Sequence, residues 1–368
     1  MDIFDYLKEE RRTFAKKKFS VLDSIVLSKL AYLNYDKIIP KEGIKLKDIF
    51  KLEYFDDLLN VHVLKEKYEQ LFISAVLSPR YRDITLKHFV SDSSLKEVKQ
   101  FSAITYIIDD KAVVAYRGTD STIVGWKENF NMTYEYPIPS QAEALKYLED
   151  VYSKEKKKII IVGHSKGGNL GTYAGINATD ETKKDILKIY SLDGPGFPEE
   201  VFTSKEYLKS KNKIVKILPK ESIVGIYLED GEYLVVKSNV KGIMQHEPMF
   251  WDIKDSDLVY YKHLAQSSIS FGKIMRKWIN SATKDERELF VDTLFTLVDA
   301  DEKVNLFSKL KLIQKTPQYI HRYNALEPER KEFMAKVFKN LFNIVIDSEI
   351  KENKMLKLGS KKKDINKK

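Results

Sequence analysis

A serine between small residues stands at the end of a β-branched run and could act as a nucleophile. Residues 159–162 (IIIV) lead directly into residues 163–167 (GHSKG), and a helix-compatible segment, GGNLGTYAGIN, follows. This pattern fits G-x-S-x-G, in which a strained turn between a strand and a helix exposes a serine hydroxyl above a sheet. The spacing therefore predicts Ser165 as a nucleophile. The alternative is a glycine-rich turn that contains an incidental serine.

A serine hydroxyl reacts only when a base takes its proton, and histidine is the usual base. His164 belongs to the turn, and its side chain is expected to point away from the serine. His263 falls in a segment with helical spacing. His246, in GIMQHEPMFW, follows the last clear strand, as the order serine, acid, histidine requires. We predict His246 as the base, with a surface loop histidine as the alternative. The remaining histidines are His62, His88 and His321.

The oxyanion formed during acyl transfer needs hydrogen-bond donors from two places. One is the backbone N–H of Lys166, the residue after the nucleophile. The other is expected at the end of an earlier strand, AVVAYRGTD, where Thr119 could offer its N–H and its hydroxyl. Arg117 in the same loop is expected to pair with a carboxylate and pin the loop.

The elements around these residues alternate strand and helix in the middle of the chain. We predict an α/β fold of the α/β-hydrolase type, with a mostly parallel sheet, flanking helices and helical segments at both ends. The predicted divisions are 1–100, an N-terminal helical segment packed on the core; 101–260, the hydrolase core; 261–350, a C-terminal helical region; and 351–368, a basic tail. Residues 101–120 contain two apolar runs about a short connection, Asp109-Asp110-Lys111, and are predicted to form a hairpin.

Composition excludes several classes of protein. The chain has 368 residues, 43% hydrophobic and 32% charged, as in a globular protein. It has no cysteine, so disulfide scaffolds and thiolate metal sites are excluded. No apolar run approaches a membrane span, and the charged N-terminus lacks the apolar centre of a signal peptide, so we expect a cytoplasmic protein. No metal cluster, Walker loop or dinucleotide fingerprint occurs, so no cofactor is expected.

The net charge is +9, and much of the excess lies in the tail KENKMLKLGSKKKDINKK. A solvated tail is one interpretation. Peripheral contact with an anionic membrane is the other. Nucleic acid is not expected, because the lysines lack aromatic residues for base stacking.

Five segments carry a family resemblance: FSAITYIIDDKAVVAYRGTD, GHSKGGNLGTYAG, SLDGPGF, LPKESIVG and QHEPMFW. Over residues 20–260 the chain resembles the bacterial lipase-like family called Mbeg-like, which is related to class 3 lipases. The resemblance implies Ser165 as nucleophile, His246 as base, and Thr119 and Lys166 as oxyanion donors. It also implies lipid-like acyl esters as the substrate class.

The chain departs from class 3 lipases at the acid of the triad. Those enzymes carry an aspartate where this chain has Ser222, in the run SIVG. Asp193, in SLDGPG, ends the strand after the elbow helix and is the preferred substitute. Glu221 and Asp252 stay open as alternatives. Asp193 could instead only cap its turn.

Three functions follow from these patterns. The first is a serine hydrolase that cleaves small-molecule or lipid esters through an acyl-enzyme on Ser165. The second is a binding or scaffold protein that retains the fold without turnover, for which Ser222 argues. The third is a membrane adaptor that depends on the basic tail.

Overall fold

The computed structural model describes residues 1–61, 64–120, 122–297 and 316–340. The strands are Ile44–Lys45 (β1), Thr85–Ser94 (β2), Lys99–Ile108 (β3), Lys111–Tyr116 (β4), Lys158–His164 (β5), Ile186–Leu192 (β6), Ile214–Pro219 (β7), Leu234–Val236 (β8), Ile253–Lys254 (β9), Asp257–Leu258 (β10) and Tyr260–Tyr261 (β11). The α-helices are Ile3–Glu9 (α1), Val21–Leu30 (α2), Leu52–Leu58 (α3), Lys65–Leu77 (α4), Ile123–Asn131 (α5), Pro139–Glu155 (α6), Lys166–Asn177 (α7), Asp180–Asp185 (α8), Glu199–Phe202 (α9), Lys205–Ser210 (α10), Gln266–Ser281 (α11), Lys284–Leu297 (α12), Thr316–Ala325 (α13) and 328–340 (α14). Short 3₁₀ turns span Leu46–Ile49, Lys211–Lys213, Gly242–His246 and Pro248–Phe250.

A mixed sheet forms the centre of the molecule. In the described part of the chain its strand order is β1-β2-β3-β4-β5-β6-β7-β8-β11. The five strands from β4 to β8 run parallel, while the pairs at both edges are antiparallel. Parallel neighbours require crossover connections, and helices α5 to α10 supply those between β4 and β7. Residues 220–233 connect β7 to β8 without a helix. The predicted α/β fold with flanking helices is confirmed.

Both faces of the sheet are buried, and alternation along β5 shows how. Ile160 and Val162 belong to a hydrophobic cluster that contains α1, α2 and α4. Ile159 and Ile161 belong to the opposite cluster, with α6 and α7. Successive side chains of a strand point to opposite faces, so a run of β-branched residues suits a strand covered on both sides.

The prediction that the first hundred residues are mainly helical is wrong for residues 85–100. These form β2 and the start of β3, which pair antiparallel. Beyond Leu86 the side chains of β2 are exposed or only half-buried, so the strand carries little apolar signal. Its stability comes from pairing with β3, which propensity does not reveal. The predicted hairpin between β3 and β4 is present.

The C-terminal helices α11 to α14 follow the sheet, and Trp278 and Ile279 pack with Val337 in a separate cluster. Among the described residues no helix is long and apolar enough to cross a membrane. His62 and the basic tail 351–368 lie outside the described residues. The division of the chain into the four predicted segments stays a prediction.

Candidate active site

Ser165 occupies the sharp turn between β5 and α7. Its backbone has φ 58° and ψ −133°, a conformation that costs a non-glycine residue about 1–3 kcal/mol. The turn is tight: a Cβ on Gly167 would lie 2.1 Å from the carbonyl oxygen of Tyr116. The N–H of Gly168 donates to the Ser165 carbonyl at 2.9 Å, and the helix starts at Lys166. The predicted strand-turn-helix context is therefore present, and the N-terminus of α7 lies next to the serine hydroxyl.

The register of the sheet brings Asp193 beside Ser165. His164 and Leu192 are paired at the ends of β5 and β6, so the next residues, Ser165 and Asp193, leave the sheet together. The N–H of Ser165 donates to the Leu192 carbonyl at 2.9 Å. Asp193 is completely buried.

Asp193 and His246 form a hydrogen-bonded pair. His246 lies at the end of the 3₁₀ turn after β8, and its Nδ1 is 2.7 Å from Asp193 Oδ2. An ionised carboxylate can only accept, so Nδ1 carries the proton and Nε2 is left free to accept one. The His246 ring lies 4.6 Å, centroid to centroid, from the ring of His164, the residue before Ser165.

Ser222 is hydrogen-bonded to Asp193. Its hydroxyl lies 2.5 Å from Asp193 Oδ1, and the N–H of Gly225 donates to the same oxygen at 3.1 Å. A Cβ on Gly225 would lie 2.2 Å from that oxygen, so the contact needs glycine. With Oδ1 held by two donors, Oδ2 faces the imidazole. Asp193 thus has the contacts that an orienting acid needs.

The two alternative acids lie in other contacts. Glu221 Oε2 accepts from the N–H of Gly242 at 2.5 Å, and Asp252 pairs with Lys237 at 2.9 Å. Neither carboxylate is hydrogen-bonded to His246. The structure therefore brings together His246 and Asp193, the preferred substitute.

The loop predicted to supply the second oxyanion donor lies against the elbow. A Cβ on Gly118 would lie 3.1 Å from the Ser165 Cβ and 2.6 Å from the His164 carbonyl oxygen. Thr119 follows directly, and its hydroxyl oxygen accepts from Asn129 Nδ2 at 2.6 Å. Thr119 thus lies in a strand-end loop that packs against Ser165.

The side chain of Lys166 points into the protein and forms a buried ion pair. Its Nζ lies 2.8 Å from Glu128 Oε2 and 2.5 Å from the carbonyl of Gln100. Both charged side chains are fully buried. Glu128 also accepts from the N–H groups of Gln100 and Ser140. Glu128 and Asn129 on α5 therefore contact both predicted oxyanion residues, Lys166 and Thr119.

Arg117 lies at the start of the same loop. Its Nη2 is 4.0 Å from Asp120 Oδ2, a loose ion pair, so the expected carboxylate partner is Asp120. Burial lowers the pKa of Arg117, and Asp120 opposes that shift. The contact links the two ends of the Arg-Gly-Thr-Asp loop.

His164 and its partners lie next to His246. His164 contacts the carbonyl oxygen of His246 through Nε2, and Tyr32 and Lys29 through Nδ1. Burial, and then the charge of Lys29, hold the pKa of His164 well below its ordinary value. Burial also lowers the pKa of Lys29, against the attraction of Glu247.

Sequence reasoning missed Lys29, Glu128 and Glu247. The available signal was a charged residue inside an otherwise apolar pattern, as with Lys29 in SIVLSKLAYL. Such residues are buried only when they are paired. The pattern predicts that the charged residue is buried, but it does not identify the residue that pairs with it.

The other described histidines lie away from these contacts. His263 is exposed in a bend before α11, and not in the helix that its spacing predicted. His88 is hydrogen-bonded to Glu155, and His321 is exposed on α13. Of the five described histidines, only His164 and His246 lie beside the elbow. Within the same described residues, no group of three or more histidine, aspartate or glutamate side chains could hold a metal ion.

Three solved lipases are similar in structure to this chain. Lipase II from Rhizopus niveus has TM-score 0.32 and 15% identity, over 41% of this chain and 66% of that one. M37 lipase has TM-score 0.35 and 14% identity, over 55% and 68%. Lip2 lipase from Yarrowia lipolytica has TM-score 0.32 and 14% identity, over 59% and 80%. The chain therefore spans slightly less than two thirds of the Rhizopus lipase.

No curated protein matches the sequence. A family model does, over residues 75–296, which is more than half of the chain. The match starts later than the predicted resemblance, which began at residue 20, and extends beyond its end at 260. The resemblance itself is confirmed, and the chain belongs to the Mbeg1-like family.

Proposed function

We propose that this chain is a serine hydrolase of carboxylic esters, with Ser165 as nucleophile, His246 as base and Asp193 as the orienting acid. The observation that carries the proposal is the 2.7 Å hydrogen bond between Asp193 Oδ2 and His246 Nδ1, next to a serine in a strained elbow. A carboxylate, an imidazole and a serine hydroxyl in this order perform acyl transfer.

In the first half of the reaction, Ser165 Oγ attacks the ester carbonyl carbon, and His246 Nε2 takes the hydroxyl proton. Asp193 keeps the other ring nitrogen protonated and stabilises the imidazolium that forms. The backbone N–H groups of Lys166 and Thr119 donate to the oxyanion. The bond to the alcohol then breaks, and the alcohol leaves with the proton from His246. An acyl group remains on Ser165.

In the second half, a water molecule gives a proton to His246 Nε2 and attacks the acyl carbon. The bond to Ser165 Oγ breaks, and His246 returns the proton to the serine. The carboxylic acid leaves, and the site regains its starting protonation state. The reaction needs no redox partner and no group beyond the named side chains, the backbone donors and water.

The scaffold alternative rested on Ser222, where class 3 lipases carry the acid. In this fold Ser222 donates to Asp193 and helps to aim its second oxygen at His246. The substitution therefore accompanies a displaced acid, which weakens the argument for an inactive protein. Lipid-like acyl esters are the proposed substrate class, and this part comes from the resemblance to class 3 lipases.

The proposal is tested with a fluorophosphonate probe and a series of p-nitrophenyl esters of increasing acyl length. Wild type should be labelled and should hydrolyse at least one ester, while Ser165→Ala should lose both activities and keep its fold. Ser153→Ala, at an exposed serine on α6, is the matched control and should behave as wild type. Labelling of Ser165→Ala at the wild-type rate, or no labelling of wild type, would contradict the proposal.

A further inference from the structure

A buried hydrogen-bonded chain runs from helix α2 to the loop of the proposed base. Lys29 Nζ lies 2.8 Å from Glu247 Oε2 and 3.2 Å from His164 Nδ1. The hydroxyl of Tyr32 lies 2.9 Å from the same ring nitrogen. On its other side, His164 Nε2 lies 2.8 Å from the backbone carbonyl oxygen of His246. The chain therefore joins the N-terminal segment, the elbow and the His246 loop.

The partners fix the tautomer of His164. A carbonyl oxygen can only accept, so Nε2 must carry the proton that it donates to His246. An ammonium group can only donate, so Nδ1 must present its lone pair to Lys29. A neutral imidazole with its proton on Nε2 meets both demands. A second proton on Nδ1 would face the Lys29 ammonium.

The burial of Lys29 is costly and needs a reason. Its side chain is 1% exposed, and that of Glu247 is 9% exposed. An apolar pair of similar size often stabilises a protein as well as a buried ion pair does. Besides Glu247 and His164, the ammonium contacts the face of an aromatic ring, because its Nζ lies 4.0 Å from the centroid of the Tyr32 ring. The contacts of Lys29 converge on residues adjacent to Ser165 and His246 in sequence.

We propose that His164 and Lys29 are positioning residues that fix the backbone of His246 relative to Ser165. This inference rests on the proposed function. Asp193 holds the imidazole ring of His246 at Nδ1, and His164 holds the carbonyl of the same residue. His164 is also joined to Ser165 by a peptide bond. Nucleophile and base, 81 residues apart in sequence, are thereby connected through one short, rigid path in which α2 takes part.

The expected effect is on the rate of the chemical step. Displacement of a reacting group by about 1 Å can cost about 10²-fold in rate. His164→Leu removes the donor to His246, and we expect kcat and the probe labelling rate to fall about 10- to 100-fold with KM little changed. His164→Gln retains an N–H donor and an oxygen acceptor, and it should recover most of that loss. A role in packing alone would not distinguish the amide from the alkyl side chain in this way.

The contribution of Lys29 is tested with a matched buried pair. The double variant Lys29→Met, Glu247→Gln leaves no buried charge unpaired and should also slow labelling. Lys216→Met, Glu229→Gln changes a similar buried pair whose contacts do not lead to His246. It should label at the wild-type rate at a temperature where all variants remain folded by circular dichroism. Equal rates in wild type, His164→Leu and the Lys29 double variant would overturn the inference.

A measurement without turnover separates this inference from the proposed function. Imidazole ¹⁵N shifts in the Ser165→Ala protein should show His164 neutral and protonated on Nε2 at pH 7. The Lys29 double variant should shift the His246 resonances, while the Lys216 double variant should not. A charged or Nδ1-protonated His164, or unchanged His246 resonances, would overturn the inference even if wild type hydrolyses esters. Failure of wild type to react with the probe would instead contradict the proposed function.

Discussion

The hydroxyl of Ser222 lies 2.5 Å from Oδ1 of Asp193. Asp193 follows β6, and Ser222 follows β7, the neighbouring strand of the sheet. One carboxylate oxygen faces Ser222 and Gly225, and the other faces His246. This arrangement supports the proposal that Asp193 orients the imidazole in a chain that carries serine at residue 222.

Asp193→Asn should lower kcat by up to about 10⁴-fold, because an amide cannot stabilise the imidazolium and its N–H group favours the wrong tautomer. Steady-state kinetics on the best p-nitrophenyl ester measure the effect. Asp252→Asn, at a partly buried aspartate paired with Lys237, is the control and should change kcat little. If Asp193→Asn left kcat unchanged, Asp193 would only cap its turn and would not be the acid.

Ser222→Ala should have a smaller effect than Asp193→Asn. It removes one donor to the carboxylate and leaves the Gly225 N–H in place. A hydrogen bond to a charged group contributes about 1.5–3 kcal/mol, so we expect kcat to fall roughly 10- to 100-fold. The same assay decides, and a loss as large as that of Asp193→Asn would mean that Ser222 does more than hold the acid.

His246→Ala should reduce kcat by about 10³-fold or more, as loss of a triad member does in other serine hydrolases. His263→Ala removes an exposed histidine from the bend before α11 and should change kcat little. The two variants are compared at saturating ester. If His263→Ala were the slower enzyme, the assignment of the base would be wrong.

Glu128→Gln should destabilise the protein by about 3–5 kcal/mol, because it leaves the Lys166 ammonium buried without a counter-charge. Both partners are fully buried. Asp150→Asn breaks an exposed pair with Lys154 on α6 and should cost less than about 1 kcal/mol. Urea unfolding of the three proteins gives the free energies. Similar losses for the two variants would refute the view that the inner pair is critical.

Stability should depend on pH through His164. Burial and the charge of Lys29 hold its pKa well below the ordinary value, whereas the unfolded chain takes up a proton near pH 6.5. The unfolded state therefore binds more protons below that pH, and the free energy of unfolding falls. The loss between about pH 7.5 and 5.5 should be about 1.4 kcal/mol larger in wild type than in His164→Gln.

Urea unfolding at the two pH values tests this difference, with His263→Gln as the control. His263 is exposed, so its replacement should leave the pH dependence as in wild type. If the wild-type and His164→Gln values fell in parallel, His164 would titrate in the folded protein as it does in the unfolded chain.

The basic tail has two interpretations, a solvated segment and a contact with anionic membranes, and the second predicts a measurable binding. Residues 351–368 contain eight lysines against Glu352 and Asp364. Each lysine near an anionic surface contributes about 1 kcal/mol, and salt screens the attraction. Sedimentation with phosphatidylserine vesicles should therefore show binding that falls with salt and is lost on deletion of 351–368. If the protein without residues 351–368 bound the vesicles as well as wild type does, the contact with the membrane would not depend on the tail.

Local patterns in the sequence were enough to predict the turn at Ser165 and to propose His246 as the base. The turn at Ser165 follows from a β-branched run that meets glycines, which is a property of neighbouring residues. His246 follows from chain order, because the last clear strand precedes it. The α/β fold follows from the alternation of strands and helices.

Only the tertiary structure shows which of Asp193, Glu221 and Asp252 is hydrogen-bonded to His246. All three carboxylates fit some version of the sequence argument, and their distances from the imidazole depend on how the ends of β6, β7 and β8 are aligned. The paired ends of β5 and β6 place Asp193 beside Ser165. Glu221, which follows β7, accepts instead from the N–H of Gly242.

The buried charged contacts of Lys29 and Lys166 also could not be predicted from the sequence. Lys29 is 135 residues from His164 and 218 from Glu247, and Lys166 is 38 residues from Glu128. A buried charge requires a partner, but a one-dimensional pattern does not say which one, because the partner is chosen by the packing of helices on the two faces of the sheet. The sequence by itself determined the turn at Ser165, and the three-dimensional packing decided which residues surround it.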